Sequence, residues 1–241
     1  MAAKTSESEK ARLFDLVTCV CELVRDGGRD AEEVSAILQK IKENPKFYAM
    51  FFSQDSKETK PKKNRSERKL WAKFYLEVFG LKKDFSRLKL PVETKGFDWI
   101  VVMAEGLTLT QIWTKIVERM PAYKYWDNPD DITSDRKADK DYAIRLRDRV
   151  EADEELANKS AEDLKKEEVF GITVEERLVL ELFYYWQTGN HLDLENVTLC
   201  SGSRFLGGSV PVVRWGGGGL CLRWYCAHGR RDDLRSRLVV S

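Results

Sequence analysis

The residues whose side chains could carry out chemistry are two cysteines near the C-terminal end, Cys221 and Cys226, with His191, Cys200 and His228 as possible partners. Thiolates and imidazoles bind zinc or support redox reactions. Structural zinc sites, however, use regular pairs of ligands separated by about two to four residues, and the spacing here does not follow that rule. The pattern therefore favours free cysteines, and the sequence predicts neither a metal site nor a cofactor.

Residues arranged for acid–base or nucleophilic catalysis do not stand out in the sequence. Paired carboxylates, a serine–histidine–aspartate order and a phosphate-binding loop are all missing from it. His191 follows a predicted helix, where a structural role is expected. Asp148, Arg149, Glu151 and Asp153 are expected to form internal ion pairs that hold loops. The sequence therefore predicts a protein that is not an enzyme.

The last part of the chain differs abruptly in composition from the rest. After Glu195 there is no Lys, Glu, Gln, Ile or Met, although Lys and Glu are abundant before it. In the same tail Arg is the only long cation, and glycines cluster at 207–208 and 216–219. This change indicates a constraint on the tail that the rest of the chain does not share.

A genetic mechanism gives the missing residue types a cause. If Asn codons of the form AAC are mutated only at their adenines, the third base remains C, and Lys, Glu, Gln, Met and Trp cannot be produced. Such codons do produce Phe, Leu, Ser, Val, Arg, Gly, Cys, Tyr, His, Ala and Asp; Ile is permitted but missing. The tail positions that match this inventory are Phe205, Ser209, Val212, Arg214, Gly216, Cys221, Arg223, Cys226, His228, Gly229 and Arg230.

The period of a β-strand separates these positions from apolar residues in the same segments. Side chains alternate between the two faces of a strand, so Val213, Trp215, Leu220, Leu222 and Trp224 are expected to share one face. Tryptophan is encoded by TGG, which contains no adenine, so both tryptophans would be immune to such mutation and would hold the core. The intervening residues are expected to form a second, exposed and substitutable face.

The elements that position this tail belong to the second of two predicted units. Apolar residues at helical spacing predict a small helical hairpin within residues 1–53. The polar stretch 54–69 is typical of a basic flexible linker. Residues 70–241 are then long enough for an α+β domain with its own core.

Net charge and cysteine content limit which binding partners and which cellular compartment can be expected. The chain carries 41 Lys and Arg against 40 Asp and Glu, a formal net charge of +1, so no overall field attracts nucleic acid or membranes. The basic run at 60–63 could contact phosphates but is more typical of a solvated linker. Five cysteines, no leader-like start and no long apolar stretch lead us to expect a cytoplasmic protein with free thiols.

Within the second unit, strands and helices alternate and then give way to short strands. A helix is predicted over 70–79, followed by a strand at 98–103, a helix at 109–120 and a returning strand at 122–126. A strand at 142–147, an exposed acidic helix within 151–168 and a buried helix at 173–188 follow. Capping boxes at Thr108 and Thr173 support two of these helices. The tail is expected to form strands at 197–200, 210–215, 220–225 and 234–240.

Several motifs in residues 70–241 carry a family resemblance. They are Gly96-Phe97-Asp98-Trp99, Tyr142-Ala143-Ile144, Arg147-Asp148-Arg149-Val150-Glu151-Ala152-Asp153, Gly189-Asn190-His191-Leu192-Asp193, Thr198-Leu199-Cys200-Ser201-Gly202-Ser203-Arg204, Val210-Pro211 and Leu234-Arg235-Ser236-Arg237-Leu238-Val239-Val240-Ser241. With these motifs the chain resembles the variable proteins of diversity-generating retroelements. In that family a reverse transcriptase copies a template repeat with adenine errors into the 3′ end of the gene.

The resemblance implies a C-type lectin-like domain, with two main helices around a small mixed or antiparallel sheet and a variable region at about 205–238. It adds Leu206, Tyr225 and Leu238 to the candidate ligand-binding positions. The implied partner is a protein or other macromolecule bound by the variable face, and the N-terminal helices could mediate self-association or contact an effector. Contact with membranes or nucleic acid is not expected.

Two other interpretations remain open from the sequence. One is a structural or regulatory protein with a lectin-like domain that is not diversified. The other, less favoured, is an oxidoreductase like the formylglycine-generating enzyme, which has a related fold and uses cysteines near its C-terminus. Trp126-Asp127-Asn128-Pro129 is similar to calcium-binding lectin motifs but lacks a matching acidic ligand set.

Overall fold

A computed structural model of the chain describes Glu32, residues 60–125 and residues 131–241. The chain divides into two compact units, Met1–Thr59 and Lys60–Ser241. The hairpin predicted within residues 1–53 lies outside the described residues, apart from Glu32, which is helical and exposed. Residues 126–130, with the motif similar to calcium-binding lectins, also lie outside them. The fold described below is that of the second unit.

The second unit is a mixed α+β structure, as its sequence pattern predicts. Its helices are α1 (Lys60–Phe74), continued by a π-helical turn (Tyr75–Phe79), α2 (Leu109–Val117), a 3-10 turn (Glu154–Leu156), α3 (Ala161–Lys166) and α4 (Val174–Thr188). Its strands are β1 (Trp99–Met103), β2 (Ala122–Lys124), β3 (Ile132–Ser134), β4 (Tyr142–Leu146), β5 (Val197–Leu199), β6 (Ser203–Phe205), β7 (Val210–Gly216), β8 (Gly219–Tyr225) and β9 (Leu234–Arg235).

The predicted linker is wrong over residues 60–69, because these residues form the first turns of α1. Lys, Arg and Glu are good helix formers, and Pro61 is tolerated because it falls in the first turn. The C-terminal part of the helix is anchored in the core by Trp71 and Phe74, which are 2% and 0% exposed. A polar run that lacks its own apolar residues can therefore continue a helix that is stabilised further along the chain.

Aromatic side chains hold the helices of this core together. The rings of Trp71 and Phe183 stack with centroids 3.9 Å apart and planes 8° apart, which joins α1 to α4. The Tyr75 hydroxyl donates to the carbonyl of Val102 at 2.7 Å and accepts from the amide of Ala104 at 3.1 Å. Burial raises the pKa of this phenol above its usual value. The π-helical turn is thereby fixed to the end of β1.

The main sheet has five strands in the order β2-β8-β7-β5-β9. β7 is antiparallel to β8 and β5, whereas β2 runs parallel to β8 and β9 runs parallel to β5. β2 was predicted to return beside the strand at 98–103. Instead β1 pairs with β4, and β2 forms the edge of the main sheet. This pairing joins segments about a hundred residues apart, and local sequence patterns carry no information on it.

The acidic segment 151–168 is not an exposed helix. It forms the 3-10 turn and the short helix α3, and its apolar residues Leu156, Ala161 and Leu164 are at most 7% exposed. They form a second apolar cluster with residues of the main sheet, which include Val197, Leu199, Val210, Val212 and Leu234. This segment therefore covers one end of the sheet face that lies opposite the main core.

Helix α4 forms as its sequence predicts. The Thr173 side chain accepts from the amide of Glu176 and the Glu176 side chain accepts from the amide of Thr173, which completes the capping box. Gly189 ends the helix in the left-handed conformation, with φ 70°. Glu176 also pairs with Arg136 and accepts from the hydroxyl of Tyr142, so the helix start is tied to the loop before β4.

Candidate functional site: the outer face of the main sheet

The hairpin of β7 and β8 places the predicted variable residues opposite one another. Its register pairs Val212 with Arg223, Arg214 with Cys221 and Gly216 with Gly219. Gly217 and Gly218 form the connection and have φ values of 63° and 79°, the left-handed geometry that a two-residue hairpin turn of type I′ requires. Because cross-strand partners point to the same side of a sheet, these residues share one face, called here the outer face.

The inner face of the same hairpin is packed against the main core. Val213 and Leu220 are fully buried and Leu222 is 1% exposed. The ring of Trp215 stacks on His191, with centroids 3.3 Å apart and planes 6° apart. The prediction that Trp224 holds the core is wrong, since its side chain is 55% exposed. Trp224 lies near the end of β8, where the core no longer covers that side of the strand.

A cleft of about 650 Å³ lies on the outer face. Six of the predicted variable residues line it, all from β7 and β8. These six residues are Val212, Arg214, Gly216, Cys221, Arg223 and Tyr225. The remaining lining residues are Tyr123, Tyr125, Val197, Gly217, Trp224, Arg231 and Leu234. The structure thus gathers into one concave surface residues that the sequence analysis linked only by codon type and strand period.

Aliphatic side chains form the floor of the cleft. Val197 and Leu234 are 2% and 1% exposed, and Val212 is 8% exposed. All three also belong to the second apolar cluster beneath α3. The floor is therefore a rigid part of a packed cluster, and it can take up apolar ligand atoms without rearrangement.

Arginine and tyrosine side chains form the walls. The guanidinium of Arg223 donates to the Tyr125 hydroxyl at 3.0 Å and lies 4.6 Å from the centre of that ring. Arg231 lies 5.7 Å from the centre of the Tyr225 ring and forms an ion pair with Asp233. Such stacking fixes the planar guanidinium groups while leaving donors free.

Arg214 differs from the other two arginines of the cleft. No hydrogen bond or ion pair joins its side chain to any of the described residues. Among the described residues that line the cleft, three are arginines and none is Asp or Glu. The electrostatic potential of the cleft is therefore positive, although the whole chain is close to neutral.

Gly216 and Gly219, which pair next to the turn of the hairpin, have different surroundings. The nearest atoms to a Cβ at Gly216 would be those of the Arg214 guanidinium, at 2.8 Å, and that flexible group can move aside. A Cβ at Gly219 would lie 2.9 Å from the carbonyl oxygen of Pro121 and 2.7 Å from the Tyr123 ring. Gly216 can accept other side chains toward the cleft, whereas Gly219 permits the close approach of β2 to β8.

The remaining predicted variable residues do not line the cleft. Phe205, Leu206 and Ser209 belong to β6 and its turn into β7, where the Phe205 amide donates to the carbonyl of Ser209 at 2.7 Å. Leu206 is 69% exposed. Leu238 is half-buried against the second apolar cluster, and its amide donates to Asp153. A variable position at Leu238 would therefore alter packing as well as surface.

A further group of predicted residues forms the turn after β8. Cys226, His228 and Arg230 are exposed, and the Gly229 amide donates to the carbonyl of Cys226 at 3.0 Å. Arg230 makes two hydrogen bonds of 2.7 Å to the carboxylate of Asp163 in α3. These bonds hold the pKa of Asp163 well below its usual value. The turn is thus attached to the helix that covers the second cluster.

A buried charged network supports the sheet from its inner side. Asp193 accepts from Arg177 at 2.9 Å and from Arg237 at 2.7 Å, and the Thr198 hydroxyl also donates to it. Arg177 donates in addition to Glu181 at 2.8 Å. Although burial opposes ionisation, Arg237 and Arg177 hold the pKa of Asp193 below its usual value. The network joins α4, β5 and the C-terminal segment.

His191 belongs to this supporting structure. Its Nδ1 lies 2.9 Å from a carboxylate oxygen of Glu181, and its ring lies between Tyr185 and Trp215, with centroids 4.9 and 3.3 Å away. The backbone amide of Trp215 donates to the carbonyl of Asp193. This environment matches the structural role that its position after a helix predicted.

The charged segment after β4 holds loops through some of the predicted ion pairs, although Asp148 forms none with the described residues. Arg147 pairs with Asp153 at 2.8 Å, and Arg149 pairs with Glu155 at 2.6 Å. Glu151 acts differently from the prediction, since its carboxylate accepts hydrogen bonds from the successive backbone amides 194–196 instead of an ion pair. These contacts fix the start of β5, which carries one edge of the cleft floor.

The cysteines are spread over different environments. Cys200 is fully buried, and burial raises the pKa of its thiol well above the usual range. Cys221 is half-buried in the cleft and Cys226 is exposed, and all three are free. Among the described residues, no group of three or more His, Cys, Asp or Glu side chains could hold a metal ion.

Sequence reasoning missed the aromatic wall of the cleft. Tyr123 and Tyr125 are 53% and 58% exposed, and Tyr123 is the register partner of Cys221. Their spacing of two in a predicted strand was a usable signal, because it places both on one face. The pairing of that strand with β8 could not be read from spacing. Trp224 was missed because the strand alternation assigned it to the core, and Arg231, a residue type that the codon rule permits, was not among the predicted positions.

Comparison with known proteins does not add to this description. No family model, no curated protein and no solved structure matches the chain. In the part of the chain that the structure describes, no helix has the length and apolarity needed to cross a membrane.

Proposed function

We propose that this protein binds a ligand through the outer face of its C-terminal sheet and that this face is diversified by retroelement-guided adenine mutagenesis. The domain would then be a C-type lectin-like scaffold, and its role would be recognition without catalysis. The observation that carries the proposal is the cleft, in which six residues compatible with adenine-derived codons converge from two paired strands.

The separation of the two faces supports this proposal. The six predicted variable residues of β7 and β8 line the cleft, whereas Val213, Leu220 and Leu222 between them are buried in the main core. Because the period of a strand is two, substitutions at every second residue change the ligand surface and leave the packing of the main core intact. A diversified protein therefore needs its variable residues on one face and its core residues on the other. An ordinary Gly-rich sheet has no need of this separation.

The support beneath the cleft is also suited to repeated substitution. The floor residues belong to a packed apolar cluster, and the buried network around Asp193 holds the opposite side of the sheet. A variable face carried on rigid strands can change its recognition chemistry without unfolding. The main core and the buried network then supply folding free energy that the mutation does not reach, whereas Val212 is both a predicted variable residue and part of the second apolar cluster.

Sequencing the 3′ end of this gene across a population of source cells tests diversification. We expect substitutions confined to adenine-derived codons at outward positions such as Arg214, Cys221, Arg223 and Arg230, with Trp215 fixed. A near-identical repeat of the segment and a reverse transcriptase gene nearby would accompany them. An invariant tail, or changes spread equally over Val213 and Leu222, would contradict the proposal and favour a lectin-like protein that is not diversified.

A display library tests whether the cleft is the binding surface. The six variable cleft residues of the full chain are replaced by NNC codons, and the library is selected against a panel of purified proteins. The matched control carries the same codons at exposed apolar positions outside the cleft, among them Val92, Phe170 and Leu194. We expect binders to emerge from the cleft library. Equal yields of binders from both libraries would contradict a dedicated binding face.

A further inference from the structure

We infer that the cleft of this particular variant recognises an acidic segment of a protein partner, with carboxylates against the arginine walls and an apolar side chain on the floor. The inference rests on the proposed function, because it names the ligand class of the same outer face. It is carried by charge complementarity, by the state of each arginine and by the shape of the floor.

The charge of the cleft is one-sided while that of the chain is balanced. Arg214, Arg223 and Arg231 line it with no acidic residue among the described lining residues, in a chain whose formal charge is +1. Asp233 pairs with Arg231 from outside the lining set. Arg214 and Arg223 therefore provide a local positive charge that a ligand carboxylate can neutralise.

The two arginines are prepared for this task in different ways. Arg223 is held by the hydroxyl and the ring of Tyr125, so its guanidinium is fixed before a ligand arrives. Arg214 has no side-chain partner among the described residues, and it lies across the sheet from Cys221. A planar guanidinium binds a carboxylate through two parallel hydrogen bonds. Arg223 and Arg214 can thus donate hydrogen bonds to neighbouring carboxylates of a ligand, because neither must first break an ion pair.

The other lining residues fit a protein segment better than a nucleic acid. Tyr, Trp and Arg are the residues that dominate the energy of protein interfaces, and all three types line this cleft. The buried floor of Val197, Val212 and Leu234 can accept one apolar side chain. A nucleic acid strand needs a continuous basic track along its backbone, whereas the three arginines here line a single cleft of about 650 Å³ together with aliphatic and aromatic residues.

Panning a random peptide library displayed on phage against the full chain tests the inference. We expect the selected peptides to be rich in Asp and Glu around one apolar or aromatic residue. Their affinity for the unmodified chain should fall as salt is raised, since exposed charges are screened within about 8–10 Å. The double variant Arg214→Ser/Arg223→Ser should lose at least tenfold in affinity. Arg87→Ser removes an exposed arginine outside the cleft and serves as the control.

A cleft-filling variant separates this inference from the proposed function. Gly216→Phe places a ring in the cleft and should abolish binding of the selected peptides. If the peptides are neutral or basic and are lost only with Gly216→Phe, the acidic ligand is wrong while the binding face stands. If the peptides bind Gly216→Phe unchanged, or if none is enriched, both proposals fail. The salt dependence is measured on the unmodified chain, so it remains decisive even if the arginine variant is poorly folded.

A labelled single-stranded DNA tests the competing ligand class. We expect it to bind weakly and not to displace the selected peptides. Displacement at low concentration, with loss of DNA binding in Arg214→Ser/Arg223→Ser, would overturn the acidic protein segment and assign the cleft to nucleic acid.

Discussion

The two faces of the β7–β8 hairpin are built from alternate residues of the same strands, yet one face is packed in the core and the other lines an open cleft. On the inner face Val213, Leu220 and Leu222 are buried and Trp215 stacks on His191. The buried charged network around Asp193 lies on the same side of the sheet. On the outer face small, cationic and aromatic residues line a cleft above an aliphatic floor. One strand can therefore carry both the stability of the domain and a surface open to change.

The difference shows where the free energy of this fold resides. Buried aliphatic side chains contribute about 1.5–3 kcal/mol each relative to exposure, whereas exposed polar residues contribute little. A binding surface confined to the outer face can thus be replaced without threatening the native state. Matched variants of buried and exposed residues test that contrast.

Neutralising the buried network should cost the most stability. Asp193→Asn leaves Arg177 and Arg237 without their shared carboxylate, and breaking a buried ion pair in this way costs about 3–5 kcal/mol. The backbone should tolerate the change, because Asn suits the φ of 54° at this position. Urea unfolding measures the loss. Asp232→Asn, at an exposed site, is the control, and an equal loss there would remove the special role of the network.

Adjacent residues on opposite faces of β8 should differ strongly. Leu222→Ala creates a cavity in the main core and should lower the free energy of unfolding by about 2–5 kcal/mol. Arg223→Ser, one residue on, should change it by less than about 0.5 kcal/mol. Both values come from urea titrations of the two variants and the unmodified chain. Similar losses at the two positions would show that the outer face also carries the fold.

The paired glycines at the hairpin mouth give a smaller contrast. Gly219→Ala drives a Cβ against the carbonyl of Pro121 and should destabilise the domain by about 1–3 kcal/mol. Gly216→Ala displaces only the Arg214 guanidinium and should stay within about 0.5 kcal/mol. Thermal unfolding followed by circular dichroism ranks the two variants. If Gly216→Ala were the more destabilising variant, the contacts of Gly216 in the cleft, and not those of Gly219 with β2, would limit substitution at this end of the hairpin.

The smallest effect is expected from acid titration near the second apolar cluster. Hydrogen bonds from Arg149 lower the pKa of Glu155 from 4.5 to about 2. A lowered folded-state pKa contributes stability that is present above pH 4.5 and is lost as the pH falls toward 2. Because the carboxylate is half-exposed, screening keeps this contribution small.

Glu155→Gln should therefore flatten the dependence of the urea midpoint on pH between 4.5 and 2. Glu154→Gln changes the neighbouring carboxyl, which makes no hydrogen bond to Arg149 among the described residues, and should leave the slope in place. Equal flattening by both variants would show that general charge, and not the Arg149 pair, sets the acid dependence.

The elements with strong local signals were predictable from the sequence. The capping boxes at Thr108 and Thr173 define the starts of α2 and α4, and Gly189 defines the end of α4. Strands β1, β4, β7 and β8 fall within a residue or two of their predicted bounds. The short strands β3 and β6 were missed, since three residues each are too few to show a period. Capping and alternation depend on neighbours within one or two turns, so the sequence records them directly.

The candidate site was predictable only as a set of residue types on one face of two strands. The alternation along 213–224 separated the outward positions from the core, and codon composition selected among them. The pairing of distant segments decided the rest. It determined whether those positions form a cleft, which of them lie outside it and which other residues complete its walls. Tyr123 reaches the cleft because β2 pairs with β8, and Leu156 and Leu164 pack against its floor residues because the acidic segment folds back on the sheet.

The sequence alone thus determined helices α2 and α4 with their caps, the two-faced hairpin and the change in composition of the tail. The tertiary structure decided the order of the strands, the burial of α3 and the positive cleft between Arg214, Arg223 and Arg231. The physical reason is the range of the forces involved. Caps and side-chain periods act between residues near in sequence, whereas the pairing of sheet edges and the packing of apolar clusters depend on contacts that form only when the whole chain is folded.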